Sequence, residues 1–216
     1  MNFSRIGAVA GFGFVALAVT NGALLGSPPF PETGVTAVRG YVESDQVMHK
    51  AGLLALVFSL PFAAVFYAGV IDRLGVSDRQ HNEPWRIAAL IGAVLTGSAV
   101  IVGDVLYALL VYRAGSGLDD SALQLLKDGE LIAYSAMGIA VATVAGSVAV
   151  PTFLYGALPR WHGVLAFVVI ILSLANTIGM VSDTDAGGWV DVPAKLGFAV
   201  WVLATSLVLL REPRKP

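Results

Sequence analysis

Residues 87–112 read IAALIGAVLTGSAVIVGDVLYALLVY, a run of 26 residues whose one charge is Asp104. A helix rises about 1.5 Å per residue, so about 20 apolar residues cross the roughly 30 Å of hydrocarbon in a bilayer. This run is long enough to cross with some tilt. Five further stretches meet the same criterion, at 6–26, 51–71, 131–155, 163–181 and 192–210. The last is short and starts near Pro193, a residue tolerated in the first turn of a helix. The expectation is an all-α polytopic membrane protein, a compact bundle of six transmembrane helices forming one domain over residues 1–216.

Composition agrees with that reading. Only 13% of the residues are charged, 56% are hydrophobic, and the mean hydropathy is +0.78, whereas soluble domains carry about 25% charge. Lipid is the solvent that lets so few charges suffice. A net charge of −2 argues against nucleic acid, which calls for a basic face. Cysteine is absent, which removes disulfides, thiolate metal sites and a cysteine nucleophile.

The connecting segments change character sharply. Residues 27–47 hold three prolines and three acids, 72–86 (DRLGVSDRQHNEPWR) are almost wholly polar, and 182–191 (SDTDAGGWVD) are acidic and glycine-rich. All three read as loops. One side of the membrane then carries Arg5, Arg73, Arg79, Arg86, Arg160, Arg211, Arg214 and Lys215, and the other Arg39, Lys50, Arg113, Lys127 and Lys195. The excess of basic residues on the first side makes it the cytoplasmic one, with both termini inside. Arg5 followed by an apolar run and Ala16-Leu17-Ala18 has the form of a signal peptide. The run continues through Ala23-Leu24-Leu25, which favours a retained helix.

Polar residues inside the spans are the candidates for function, because each is costly in lipid. Asp104 is the one acid well inside a span, and Tyr107 lies one turn from it as a potential hydrogen-bond partner. On alternating helix directions, Asn21, Asp104, Tyr134, Ser135, Asn176 and Thr177 all fall toward the outer side, with His49, Lys50 and Glu130 at the rim. They outline an outward-facing polar pocket, with Glu130 placed to pair with Asp104. The competing reading is that Asn, Ser and Thr join helices to one another. Gly138, Ala142 and Gly146 form a small-residue stripe on the fourth span, Gly7 and Gly11 do the same on the first, and Pro61 and Pro151 interrupt the backbone bonding of theirs.

Sharper chemical motifs fail one by one. Asp183-Thr184-Asp185-Ala186-Gly187-Gly188 begins like a calcium loop, but Ala194 stands where the bidentate Glu belongs. Met48, Met137 and Met180 near the outer face suit soft-metal binding but suit packing better. Haem requires axial ligands within the bundle, and His49, His81 and His162 lie at span ends or in a loop. His49 reads as a solvated interfacial residue. No catalytic, cofactor or metal motif stands out, so neither a cofactor nor an enzyme activity is implied.

From about Trp85 to residue 210, the sequence Leu158-Pro159-Arg160-Trp161 and the glycine-containing fourth span before it resemble uncharacterised bacterial multi-spanning inner-membrane proteins, grouped as a domain of unknown function. The resemblance implies a six-helix architecture in a bacterial inner membrane. The functional expectation is a binding or complex-assembly subunit, whose partners are the lipid bilayer and other membrane subunits or copies of itself. The alternative is a small proton- or cation-coupled transporter or channel-like protein using Asp104, and the third an intramembrane lipid-modifying enzyme.

Overall fold

The computed structural model describes residues 3–26, 34–81, 84–113, 116–181 and 186–211. Seven helices run through them: α1 (Phe3–Leu25), α2 (Gly34–Ser44), α3 (Gln46–His81), α4 (Trp85–Arg113), α5 (Asp120–Tyr155), α6 (Arg160–Val181) and α7 (Ala186–Arg211). Six of them are long and apolar enough to cross a membrane, and α2 is not. The chain is an all-α, multi-pass membrane protein. Each long helix packs on the next, and α7 returns to α1, so the order α1–α3–α4–α5–α6–α7 closes into a ring. Each span is a helix because an unsatisfied backbone polar group in hydrocarbon costs several kcal/mol, and a helix satisfies its own.

The helices outrun the hydrophobic stretches that announce them. At 36 residues, α5 is about 54 Å long at 1.5 Å per residue, nearly twice the hydrocarbon thickness. It begins at Asp120, not 131, with Asp119 as its cap: the carboxylate accepts from the Ala122 N–H at 2.8 Å and the Ser121 hydroxyl at 2.7 Å. These bonds hold the exposed Asp119 carboxyl below the usual carboxylate range. At the other end Gly156 takes a left-handed conformation, φ 67°, that closes the helix. The polar stretch after residue 71 mostly prolongs α3, and α7 starts at Ala186, which puts Pro193 inside the helix and not in its first turn. Of the calcium-like segment, Ala186-Gly187-Gly188 open α7, and the three residues before them lie outside the described residues.

The larger departure is α2, a helix within a stretch read as a loop. Val38 and Val42 are buried, one turn apart, and pack with Leu53, Tyr107, Leu110, Val111 and Leu123. Arg39, on the neighbouring face, reaches Leu118 O and Asp120 at 2.8 Å each. Eleven residues are too few to cross a bilayer, and α2 packs against α3, α4 and α5 instead.

Glycines set how closely the ring is drawn. A Cβ on Gly7 would lie 2.8 Å from the Gly69 Cα, so the α1 and α3 backbones touch. A Cβ on Gly92 would lie 2.7 Å from Val144, and one on Gly138 would lie 2.6 Å from the Ser173 carbonyl oxygen. Small residues allow such approaches, and dispersion then replaces the hydrophobic effect as the force between helices. Gly146, the other end of the expected stripe, has only Ile170 at 3.9 Å. Where α1, α3 and α7 meet, Phe14, Phe66, Phe198 and Trp201 fill the interior in edge-on and stacked pairs 6.0–6.3 Å apart.

The two glycines of α5 should therefore behave differently. Gly138→Leu drives a side chain into the α6 backbone and should destabilise the bundle by about 1–3 kcal/mol or more, seen as a lower Tm in detergent. Gly146→Leu has room and should melt near the parent. Equal melting of the two variants would mean that α5 and α6 do not meet as described.

Candidate functional site

Beneath α2 the interior is polar. Asp104 on α4 is 6% exposed. One carboxylate oxygen, Oδ1, accepts from the Tyr134 hydroxyl of α5 at 2.5 Å. The other, Oδ2, is shut off from solvent and has no hydrogen-bond partner among the described residues. Tyr134 can cross to α4 because residue 103 is glycine: a Cβ there would lie 2.9 Å from the tyrosine ring. The sequence thus places the acid and the opening for its partner side by side.

One turn along α5 from Tyr134 stands Glu130, bound to Lys127 at 2.9 Å. Both are buried at 8% exposure. The hydrogen bond of Glu130 goes to Lys127 and not to Asp104. The partner expected for Asp104, Tyr107, points elsewhere: its hydroxyl lies 2.7 Å from His49 Nδ1. The other ring nitrogen, Nε2, lies 2.9 Å from the Tyr41 carbonyl oxygen. A carbonyl oxygen only accepts, so Nε2 carries the proton, Nδ1 is the acceptor and Tyr107 is the donor. His49 is 3% exposed, a buried link between α2 and α4 and not the solvated residue its position suggests. Its ring also packs edge-on against Tyr41, 4.6 Å between centroids.

Tyr41, outside the spans, donates to Leu25 O at 2.8 Å. Burial pushes its hydroxyl above the usual tyrosine range; the neighbouring Tyr107 hydroxyl opposes the shift and the Glu130 charge adds to it. Tyr41 is therefore a dependable donor. Lys50 turns away from this cluster, its ammonium 5.1 Å above the Tyr112 ring.

The remaining polar residues join other seams. Asn21 donates to Gly52 O at 3.0 Å and ties α1 to α3. Ser135 bonds back to Leu131 O at 2.8 Å. The Thr177 hydroxyl sits 2.8 Å from Ser135 O and 3.1 Å from Ser173 O, at the α5–α6 approach that Gly138 permits. Asn176 is buried there with its side-chain oxygen unpaired among the described residues. The structure thus groups Asp104, Tyr134, Glu130, Tyr107 and His49, while hydrogen bonds take Asn21, Ser135 and Thr177 to different helix pairs.

Three residues escape a reading by span: Tyr41, in a stretch read as a loop, Lys127, which falls between two expected spans, and His162. The last is fully buried on α6, its Nε2 2.8 Å from the Thr205 hydroxyl of α7. Thr205 gives its own proton to Trp201 O at 2.6 Å, so it accepts from His162. The other histidine nitrogen and the Trp201 indole N–H are buried without partners among the described residues.

The buried pair on α5 has a separable energetic signature. Lys127→Met leaves Glu130 as an unpaired buried charge and should cost about 3–5 kcal/mol, whereas replacing both residues with apolar ones should cost little or stabilise. Tm values for Lys127→Met and for the double variant Lys127→Met/Glu130→Leu test this. A double variant as damaged as the single one would show that the ion pair is not what holds this turn.

No family model matches this chain, and neither the curated proteins nor the solved structures include a significant match to it.

Proposed function

We propose that this protein is a binding protein of a bacterial inner membrane, with both termini in the cytoplasm, and that its ligand is a single positive charge held at Asp104. The observation that carries the reading is the buried, unpartnered Oδ2 of Asp104 beside a hydroxyl-bonded Oδ1. Charge balance supports it. Lys127 is paired with Glu130, not with Asp104, and a carboxylate left unbalanced in a low-dielectric interior is strongly disfavoured. A proton or small cation at Asp104 removes that excess. The positive-inside rule puts the α2 face, and hence the site, toward the outer side. The resemblance of the chain after Trp85 supports the bacterial inner membrane. A complex-assembly subunit is compatible with the same site, since a bound charge there fixes how α4 and α5 meet beneath α2.

Two measurements test this. The chain has no native cysteine, so Ser116→Cys on the α2 side and Ala157→Cys on the opposite side report sidedness alone. An impermeant thiol reagent should label Ser116→Cys in intact cells and spare Ala157→Cys; the reverse pattern would invert the orientation. Separately, the Tm of the purified protein should respond to pH or to Na⁺ and K⁺, since a ligand at a hundred times its Kd adds about 2.7 kcal/mol. Asp104→Asn, which keeps shape and most hydrogen bonding, should abolish the response while melting at or above the parent. An unchanged response in that variant would refute Asp104 as the site.

A further inference from the structure

Resting on that reading, we infer that the ligand is a proton, and that it leaves for the α2 face through Tyr107 and His49. Space and ligand count point to the proton. Hard cations gather about six to eight oxygen ligands. Among the described residues no three His, Cys, Asp or Glu side chains stand together as a metal-holding group. Oδ2 of Asp104 is closed to solvent, which leaves no berth for a hydrated ion. A proton requires neither room nor a ligand shell.

The route follows from donor directions that chemistry fixes. Tyr107 O–H points to His49 Nδ1 at 2.7 Å, and His49 Nε2–H points to Tyr41 O at 2.9 Å. Both donors are aimed from the acids toward α2. Every element around the path contributes a titratable or charged group: Tyr41 on α2, His49 and Lys50 on α3, Asp104 and Tyr107 on α4, Lys127, Glu130 and Tyr134 on α5. Tyr107 lies one turn from Asp104 on α4, a spacing that puts two side chains on one face of a helix, so a swing of the Asp104 carboxyl or the Tyr107 ring links them.

In the release step the carboxyl O–H of Asp104 breaks and its proton passes to the Tyr107 oxygen. Tyr107 gives its own proton to Nδ1, and Nε2–H, which the Tyr41 carbonyl holds but cannot take, is lost to water when α2 lifts from His49. The products are an Asp104 carboxylate, an intact tyrosine, a neutral histidine in its other tautomer, and one proton outside. No redox partner is involved. Reversion of the tautomer resets the path.

Infrared spectroscopy of the purified protein in lipid nanodiscs tests both halves. A carboxyl C=O band should appear on acidification, vanish in Asp104→Asn, and be indifferent to Na⁺ and K⁺. His49→Gln keeps an acceptor for Tyr107 and a donor for Tyr41 O, so the fold should stand, but an amide does not relay protons. Exchange of the Asp104 carboxyl on transfer to D₂O should slow by about a hundredfold, the lower end of what a positioned acid–base group supplies. A thermal response to Na⁺ or K⁺ that needs Asp104, without the band, would overturn the proton while leaving the Asp104 site intact. Exchange in His49→Gln as fast as in the parent would overturn the route. A band that persists in Asp104→Asn would remove the site itself.

Discussion

Closed backbone bonding in lipid is the constraint from which the rest of this molecule follows. With no water to accept or donate, every span must be a helix, and helices that gain nothing from hydrophobic attraction must hold together by close packing. The ring is therefore drawn tight where residues are smallest: Gly7 on Gly69, Gly92 on Val144, Gly138 on Ser173. The burden falls unevenly. In α5 61% of the spanning window is buried, against 22% in α1, because α5 is clasped by α4 on one side and α6 on the other. Polar side chains carried by α5 have neighbours to meet, whereas α1, packed on α3 and α7, leaves more of its length to lipid.

That asymmetry explains where polar chemistry concentrates. Tyr134 and Ser135 are adjacent on α5 yet serve opposite seams, one bonded to Asp104 of α4 and the other meeting Thr177 of α6. At the α5–α6 seam the Ser and Thr hydroxyls satisfy themselves with backbone carbonyls. The α4–α5 seam differs in kind because its groups are ionisable, and a carboxylate has two oxygens to satisfy. Gly103 gives Tyr134 access to one of them. The other is left over. Other buried polar atoms also lack partners among the described residues, but in this cluster the leftover belongs to a carboxylate, while the ion pair one turn away is formed between its own two residues.

How much of this the sequence discloses depends on length scale. Hydropathy finds all six spans, because the bilayer imposes a minimum of apolar residues that few other structures meet. It is blind to whatever lies outside hydrocarbon. The helical spacing of Val35, Val38 and Val42 is visible in the sequence, but an 11-residue helix is no span, and the prolines before it suggest a loop. The first turns of α5 are hidden in the same way, and Lys127 with them, although a Lys three residues from a Glu is a helical signature. Asp104 declares itself as an acid within an apolar run. Its true partner is not legible: Tyr107 is near in sequence, whereas Tyr134 is 30 positions away and becomes a neighbour only once α4 and α5 pack through Gly103. His49 and His162 mislead for one reason, since both stand near helix ends where solvent is expected. The helix that covers each of them, α2 for His49 and α7 for His162, is tertiary information.

The extension of α5 beyond the membrane bears on how the site works. Had the helix begun at the edge of the hydrocarbon, Lys127 would be a mobile loop residue and Glu130 a solvated one. Instead both are buried on a continuous helix, one turn on from Leu123, which packs with Val42 of α2. Charge interactions are screened least where water is excluded, and the Lys127–Glu130 pair and the Asp104 carboxyl are all buried. The lid helix and the overlong core helix are thus one arrangement. By lowering the local dielectric, it makes a single unbalanced carboxylate matter, and it leaves His49, seated between Tyr41 and Tyr107, as the hydrogen-bonded link from that carboxylate's surroundings to the α2 face.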